Sequence, residues 1–181
     1  MTLNFWNSHS SRTRRIITIA VLFFLSLMAT MAGVLTPLSP KDAASINDEI
    51  DQVRKNVSVQ YIFGNNLMIC MMMFVPIIGP IFGFVVLYNT GVVISAQSML
   101  PAAHGIPALV LLFALFFYPS TWMEFISYSA GLSESVWLIR RFMNHNGRRE
   151  IKNAAILIAI VAAVLLVAAA IETGLILSLG G

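Results

Sequence analysis

Glu124 is the residue in this sequence whose type and position most clearly suggest chemistry. It lies within an apolar segment, residues 106–138. An ionisable side chain inside a membrane-crossing segment is energetically expensive and by default marks a candidate functional site, here a proton or ion relay or a substrate contact. The structural alternative is a buried carboxyl that hydrogen-bonds an asparagine amide and fixes helix packing. We expect no second charged residue within the membrane to pair with it.

Several uncharged polar residues on apolar segments are candidates to join Glu124 in one cluster. Asn65 and Asn66 are adjacent near the start of the segment that covers residues 61–78. Amides in that position usually cap a helix or bond across a bundle, and ligand binding is the alternative. The polar cluster that the sequence predicts, with a binding or a structural role, comprises Glu124, Asn65, Asn66, Asn89 and Ser120.

A run of sulfur-containing residues is the one candidate for a metal site. Thioether and thiol groups can hold Cu(I), so Met68, Cys70 and Met72 form a copper candidate, although methionine is also an ordinary filler of apolar packing. The histidines lie on different segments and show no zinc or haem spacing. The sequence contains no nucleotide-binding loop, Cys-x-x-Cys pair or serine nucleophile elbow. We therefore predict no cofactor, no metal and no enzymatic activity.

The composition indicates a protein whose solvent is the lipid bilayer. Of the 181 residues, 58% are hydrophobic and 10% are charged, and the mean hydropathy is +0.83. A soluble domain carries about 25% charged residues, so too little polar surface is available here to cover a water-soluble globule. The basic residues stand at the ends of apolar runs, which indicates membrane topology and argues against nucleic-acid binding.

Five apolar segments predict an all-α transmembrane bundle, because about 20 apolar residues in a helix cross the hydrocarbon core. The first segment is interpreted as a retained anchor and not as a cleavable signal peptide, since it is long for such a peptide. The whole chain is taken as one membrane domain. Its predicted elements are an N-terminal segment 1–15, span 16–35, an external amphipathic helix 36–60, spans 61–78 and 81–97, a kinked span 106–138, a basic loop 139–153 and span 154–179.

Proline and small residues predict where helices break and where they approach each other. Gly79-Pro80 predicts a tight turn between the second and third spans, and residues 118–120 predict a kink in the fourth. Small residues four positions apart allow close helix approach, within or between chains. The predicted packing residues are Gly79, Gly83, Ala155, Ala159 and Ala163.

The polar segment after the first span has the signature of a helix start. Ser39 is suited to cap a helix, Pro40 to its first turn, and Asp42 to the positive end of its dipole. Asn56 begins an acceptor sequon for glycosylation, which matters only in a host that glycosylates. Apolar residues then recur at spacings of three and four, which predicts that the helix packs on the bundle; they are Ala43, Ile46, Ile50, Val53 and Val57.

Basic residues predict the orientation. The loop at residues 139–153 carries five of them, and three arginines precede the first span. Short loops rich in Lys and Arg face the cytoplasm. Five spans therefore predict a multi-pass protein of the cell membrane with a cytoplasmic N-terminus and an external C-terminus.

Two stretches of the chain carry a family resemblance that extends over roughly residues 45–175. The first contains Ile62-Phe63-Gly64-Asn65-Asn66, then Gly79, Gly83 and Asn89-Thr90-Gly91, and the second contains Pro119, Glu124 and Ala130-Gly131. In these motifs the chain resembles the stage II sporulation protein M family of integral membrane proteins. It departs from the family where Ser120 and Thr121 replace the His-Gly of a Pro-His-Gly-x-x-Glu motif, and where Thr90 separates an Asn-Gly pair.

The resemblance implies a membrane scaffold, because the named member of that family works with cell-wall hydrolases in a sporulation complex. The predicted function is a non-enzymatic scaffold or accessory subunit of a larger membrane complex, for envelope remodelling or a membrane-bound oxidoreductase. Its expected partners are membrane lipid and other membrane subunits, with a homo-oligomer left open. The alternative is a small transporter or permease that uses Glu124. A water-filled path to Glu124 would favour the transporter, and a dry, fully packed Glu124 would exclude it.

Overall fold

All the regular structure in the described part of the chain is helical, which confirms the predicted fold class. The computed structural model describes residues 11–54, 58–143 and 147–179. A single 3₁₀ turn, Pro101–Ala103, interrupts a series of α-helices within these residues. The α-helices are α1 (Ser11–Val34), α2 (Pro40–Arg54), α3 (Val59–Met73), α4 (Ile78–Ser98), α5 (Ala108–Leu115), α6 (Pro119–Met143) and α7 (Gly147–Leu179).

Three helical stretches are long and apolar enough to cross a membrane: Arg12–Val34, Ile78–Ser98 and Lys152–Ser178. A fourth is reached if the bent pair Ala108–Leu115 and Pro119–Arg140 counts as one span. The chain is therefore a helical membrane protein with three to four candidate spans. The difference from the five predicted lies mainly in α3, whose 15 residues extend about 22 Å, less than the roughly 30 Å of a hydrocarbon core.

The turn between α3 and α4 precedes the position that the sequence predicted. Residues 74–77 form it, and Gly79 and Pro80 lie in the first turn of α4, where proline is tolerated because its missing N–H has no helical partner. Ile77 adopts a positive φ of 70°. Gly79 is required here because a Cβ would overlap the carbonyl oxygen of Met73.

The amphipathic helix α2 packs on the bundle, as predicted. Ser39 accepts a hydrogen bond from the Asp42 amide at 3.2 Å and its hydroxyl donates to the Asp42 carboxylate at 2.7 Å. Ala43 is buried, and the Asn47 side chain donates to the carbonyl of Ala96 on α4 at 3.0 Å. Asn56 and Val57 lie outside the described residues.

Helices α1 and α4 make their closest approach at a pair of glycines that the sequence analysis did not single out. A methyl group at Gly33 would overlap the Tyr88 carbonyl oxygen, and one at Gly91 would overlap the Thr30 carbonyl oxygen. Only residues without a side chain allow two helix backbones to meet in this way. The crossing therefore depends on both glycines.

Of the predicted packing residues, the glycines face inward and the alanines face outward. A Cβ at Gly83 would approach the Leu132 side chain at 2.7 Å. The face of α7 that enters the core carries larger and other small residues, including Val161, Leu165 and Ala168. The exposed face carries Ala155, Ala159 and Ala163, so these three are not part of the buried core.

An ion pair joins α1 to α6 at one end of the bundle, which we call the Arg15–Glu134 end. The Arg15 guanidinium contacts the Glu134 carboxylate at 2.7 Å and lies 5.4 Å from the centre of the Trp137 ring. The α3–α4 turn lies at this end as well, because the Ser135 hydroxyl donates to the Val75 carbonyl at 2.8 Å.

Candidate functional site

At the end of the bundle opposite the Arg15–Glu134 end, the chain breaks between α5 and α6. The two helices meet at 87° across residues 116–118. The Trp122 indole N–H donates to the Phe116 carbonyl at 2.7 Å, and the two rings pack edge to face at 5.3 Å. Because this contact ties the break to the first turn of α6, Ser120 in that turn is buried.

A cavity of about 310 Å³ lies beside this break, between α1, α4, α5, α6 and α7. Thr30, Glu124 and Glu172 stand four, five and seven residues from a helix end, so the cavity lies within about 10 Å of the ends of these helices. It is partly open to the exterior. Its polar lining includes Thr30, Thr90, Ser120, Thr121, Glu124 and Glu172.

Two carboxyl groups meet in this cavity. Glu124 on α6 and Glu172 on α7 lie within hydrogen-bonding range of each other. The Asn66 side chain of α3 donates to the Glu124 carboxylate at 2.9 Å. The prediction of a carboxyl held by an asparagine amide is therefore confirmed. The expectation that Glu124 has no charged partner within the membrane is wrong, because α7 brings Glu172 to it.

The structure divides the predicted polar cluster. Asn66, Ser120 and Glu124 come together at or beside the cavity, as described above. Asn65 is exposed and its side chain donates to its neighbour Asn66, at 3.4 Å. Asn89 is also exposed. Adjacent positions on a helix point about 100° apart, so Asn65 and Asn66 cannot both face the same cavity.

The copper candidate is not supported by the geometry. The Met68 side chain is 62% exposed and the Met72 side chain 41%, whereas Cys70 is fully buried. The Cys70 thiol points toward the Ser127 carbonyl oxygen, at 3.5 Å. Residues two apart lie on different helix faces, so the three sulfur atoms do not converge. Within the described ranges, no three His, Cys, Asp or Glu side chains are grouped closely enough to hold a metal ion.

Two acidic residues that the sequence analysis did not select make important contacts in the structure. Glu172 follows a long alanine-rich run and Glu134 lies within residues 106–138. Each is an acidic residue inside an apolar helix, which is the same signal that selected Glu124. A search for every charge within the predicted spans would have found both, but only the fold separates their roles. Glu134 pairs with Arg15, and Glu172 lines the cavity.

The hydroxyl groups at the cavity differ in what they can offer a ligand. Thr30 and Thr90 donate to carbonyls one turn earlier in their own helices, at 3.1 and 3.0 Å. Ser120 is only 5% exposed, yet among the described residues its hydroxyl has no hydrogen-bond partner. The Ser120 side chain lines the cavity. Within the described ranges, the hydroxyls of Ser120, Thr121 and Tyr118 line the cavity without a hydrogen bond to another side chain or carbonyl, and Ser120 is the most buried of the three.

Charge and shape together define what this site can do. Two carboxyl groups in a membrane interior form a strong electrostatic attraction for a cation or a proton, because little water screens them.

Comparison of the chain with protein-family models, curated proteins and solved structures finds no match. The resemblance to the stage II sporulation protein M family therefore stays a prediction.

Proposed function

We propose that this protein is a small membrane transporter whose intramembrane site, Glu124 and Glu172, binds a solute that carries a cationic group. The observation that supports this proposal is the pair of carboxyl groups in a partly open cavity. The feature expected of a transporter was a water-filled path to Glu124. The cavity supports the proposal because it leaves Glu124 incompletely packed. Acidic residues used only for packing do not need an open cavity beside them.

The pair also suits exchange between a proton and the cationic group. A hydrogen bond between two carboxyl groups requires a proton on one of them, because an ionised carboxylate can only accept. A proton on either carboxyl lowers the negative charge that a cationic group meets at this site. A cationic group that contacts the same oxygens competes with the proton by mass action. Solute binding should consequently weaken as the pH is lowered.

The surrounding architecture is consistent with transport. Interrupted helices mark binding sites in many transporters, and the α5–α6 break lines this cavity. Ten residues of α6, about 15 Å, separate Glu124 from Glu134 at the opposite end. Fully buried side chains, among them Met73, Leu132 and Leu165, fill the core of the bundle. Such an arrangement fits one state of an alternating-access cycle, with the solute site open on one side.

Reconstituted protein provides the test. We expect currents in solid-supported-membrane electrophysiology when one of three defined pools is added: alkali cations, primary amines or the twenty amino acids. Glu124→Gln and Glu172→Gln should each reduce the response by about tenfold or more, because a charge-assisted hydrogen bond is lost. Glu49→Gln on the exposed face of α2 is the matched control and should respond like the wild type. Lack of any response to all three pools, or equal responses from the glutamine variants, would contradict transport at this site.

The scaffold or accessory-subunit function remains the second proposal, and one observation fits it. The outward face of α7 carries Ala155, Ala159 and Ala163, which are exposed and would let a neighbouring helix approach closely. Extraction in mild detergent should then yield a partner at fixed stoichiometry, and Ala159→Leu should release it. A monodisperse chain without partners, together with glutamate-dependent currents, would favour the transporter.

A further inference from the structure

We propose that the ligand of the cavity is a small zwitterion of the α-amino-acid type, whose ammonium group binds Glu124 and Glu172 and whose carboxylate binds Ser120 and the first turn of α6. This inference rests on the proposed function and adds the substrate class. It follows from two features that lie close together on α6, namely the positive end of the helix dipole and the Glu124 carboxyl.

The cationic half of the ligand site consists of carboxyl oxygens and aromatic rings. Glu124 and Glu172 face the cavity from two helices, and the Phe116 and Phe125 rings, 5.3 Å apart, form part of its wall. An ammonium group makes charge-assisted hydrogen bonds to carboxylates, and it is also attracted to the faces of aromatic rings. Both kinds of group favour an ammonium ion over an uncharged donor.

The anionic half is the start of α6. This 25-residue helix begins at Pro119 beside the cavity, and the first amides of a helix have no partner within it. The positive end of the helix dipole and these amides attract anions. The Ser120 side chain is 5% exposed and lines the cavity, and its hydroxyl, which makes no hydrogen bond among the described residues, supplies a further donor at the same place. A carboxylate would satisfy these donors, whereas a simple alkyl cation would leave them unmatched.

The spacing between the two halves matches one small molecule. Ser120 and Glu124 are four residues apart, so they share a face of α6 and lie about 6 Å from each other along its axis. The ammonium and carboxylate groups of an α-amino acid, each making a hydrogen bond of about 2.8 Å, bridge that distance. A molecule whose charges are many bonds apart would not.

The rest of the cavity selects for an apolar side chain of limited size. The apolar part of the lining includes Leu112, Leu115 and Ile176. The volume of about 310 Å³ is at the lower limit of the roughly 300–1,000 Å³ of small-molecule pockets. A branched aliphatic amino acid such as leucine therefore fits the chemistry of the wall better than a charged or large one.

Three matched probes test the inference on the purified wild-type protein by isothermal titration calorimetry. They are L-leucine, 3-methylbutylamine, which lacks the carboxylate, and 4-methylpentanoate, which lacks the amine. We expect leucine to bind and each analogue to bind about tenfold more weakly or less, because each leaves one half of the site unpaired. Ser120→Ala should weaken leucine but not 3-methylbutylamine, and Glu172→Gln should weaken both.

The outcomes separate this inference from the proposed function. If 3-methylbutylamine binds as tightly as leucine, the proposed zwitterionic ligand is wrong and the cation site stands. The same conclusion follows if leucine does not bind while alkali cations give glutamate-dependent currents. If no probe binds and no current depends on Glu124, both proposals fail. The probe comparison uses the unmodified protein, so a variant that does not fold cannot obscure the result.

Discussion

Gly91→Ala is expected to lower the free energy of unfolding of the bundle by about 3 kcal/mol, the upper part of the usual range for overpacking. The added methyl group would overlap the Thr30 carbonyl oxygen, which is backbone and cannot turn aside. Helices α1 and α4 would have to separate, and the contacts along both would weaken. Unfolding by SDS in mixed micelles, followed by tryptophan fluorescence, measures the change.

The same substitution at other glycines provides matched controls. Gly64→Ala and Gly174→Ala place the methyl group where nothing lies within 4 Å, so these variants should be unchanged or more stable by up to about 1 kcal/mol from helix propensity. The stability of Gly83→Ala should lie between that of Gly91→Ala and that of these controls, because the Leu132 side chain that the methyl group meets can move. Equal stability of Gly91→Ala and Gly64→Ala would show that the glycine crossing is not what holds α1 to α4.

Glu134→Gln is expected to destabilise the protein by about 3 kcal/mol, as for other buried ion pairs that lose one partner. The Glu134 side chain is 2% exposed and the Arg15 side chain 22%. The variant would therefore leave a largely buried guanidinium without the carboxylate that it contacts. The same SDS unfolding assay measures the loss, and the exposed Asp48→Asn is the control for removal of a carboxylate.

Two further measurements identify the role of this ion pair. Arg15→Gln combined with Glu134→Gln should be less destabilising than the sum of the single changes, because the double variant removes both charges of the contact. Ligand binding and currents should survive in Glu134→Gln, since Glu134 lies about 15 Å along α6 from Glu124. Loss of binding in a folded Glu134→Gln protein would mean that both acids serve the site.

Features encoded by neighbouring residues were predictable. The cap at Ser39 and the packed face of α2 follow from residues within two turns of each other, and the structure has both. Glu124 was selected because a charge in an apolar run has a high desolvation penalty wherever the run folds. Its asparagine partner was expected for the same reason, since a buried carboxyl needs a donor.

Features that depend on how distant segments meet were not predictable from one sequence. Glu172 carries the same local signal as Glu124, but that the two acids face each other depends on the packing of α6 against α7. The small-residue pattern was found on α7, where its alanines face outward, and missed at Gly33 and Gly91, where two backbones touch. A spacing of four defines a helix face without defining what that face contacts.

Composition and local spacing are enough to predict a helical membrane protein that has a carboxyl group of high desolvation cost in an apolar segment, because composition and desolvation act on each segment separately. Helix packing is what places two carboxyl groups in one cavity, a third acid in an ion pair, and the Ser120 side chain in the cavity wall. These features result from contacts between residues far apart in the chain, and those contacts depend on helix packing geometry, which no single segment encodes.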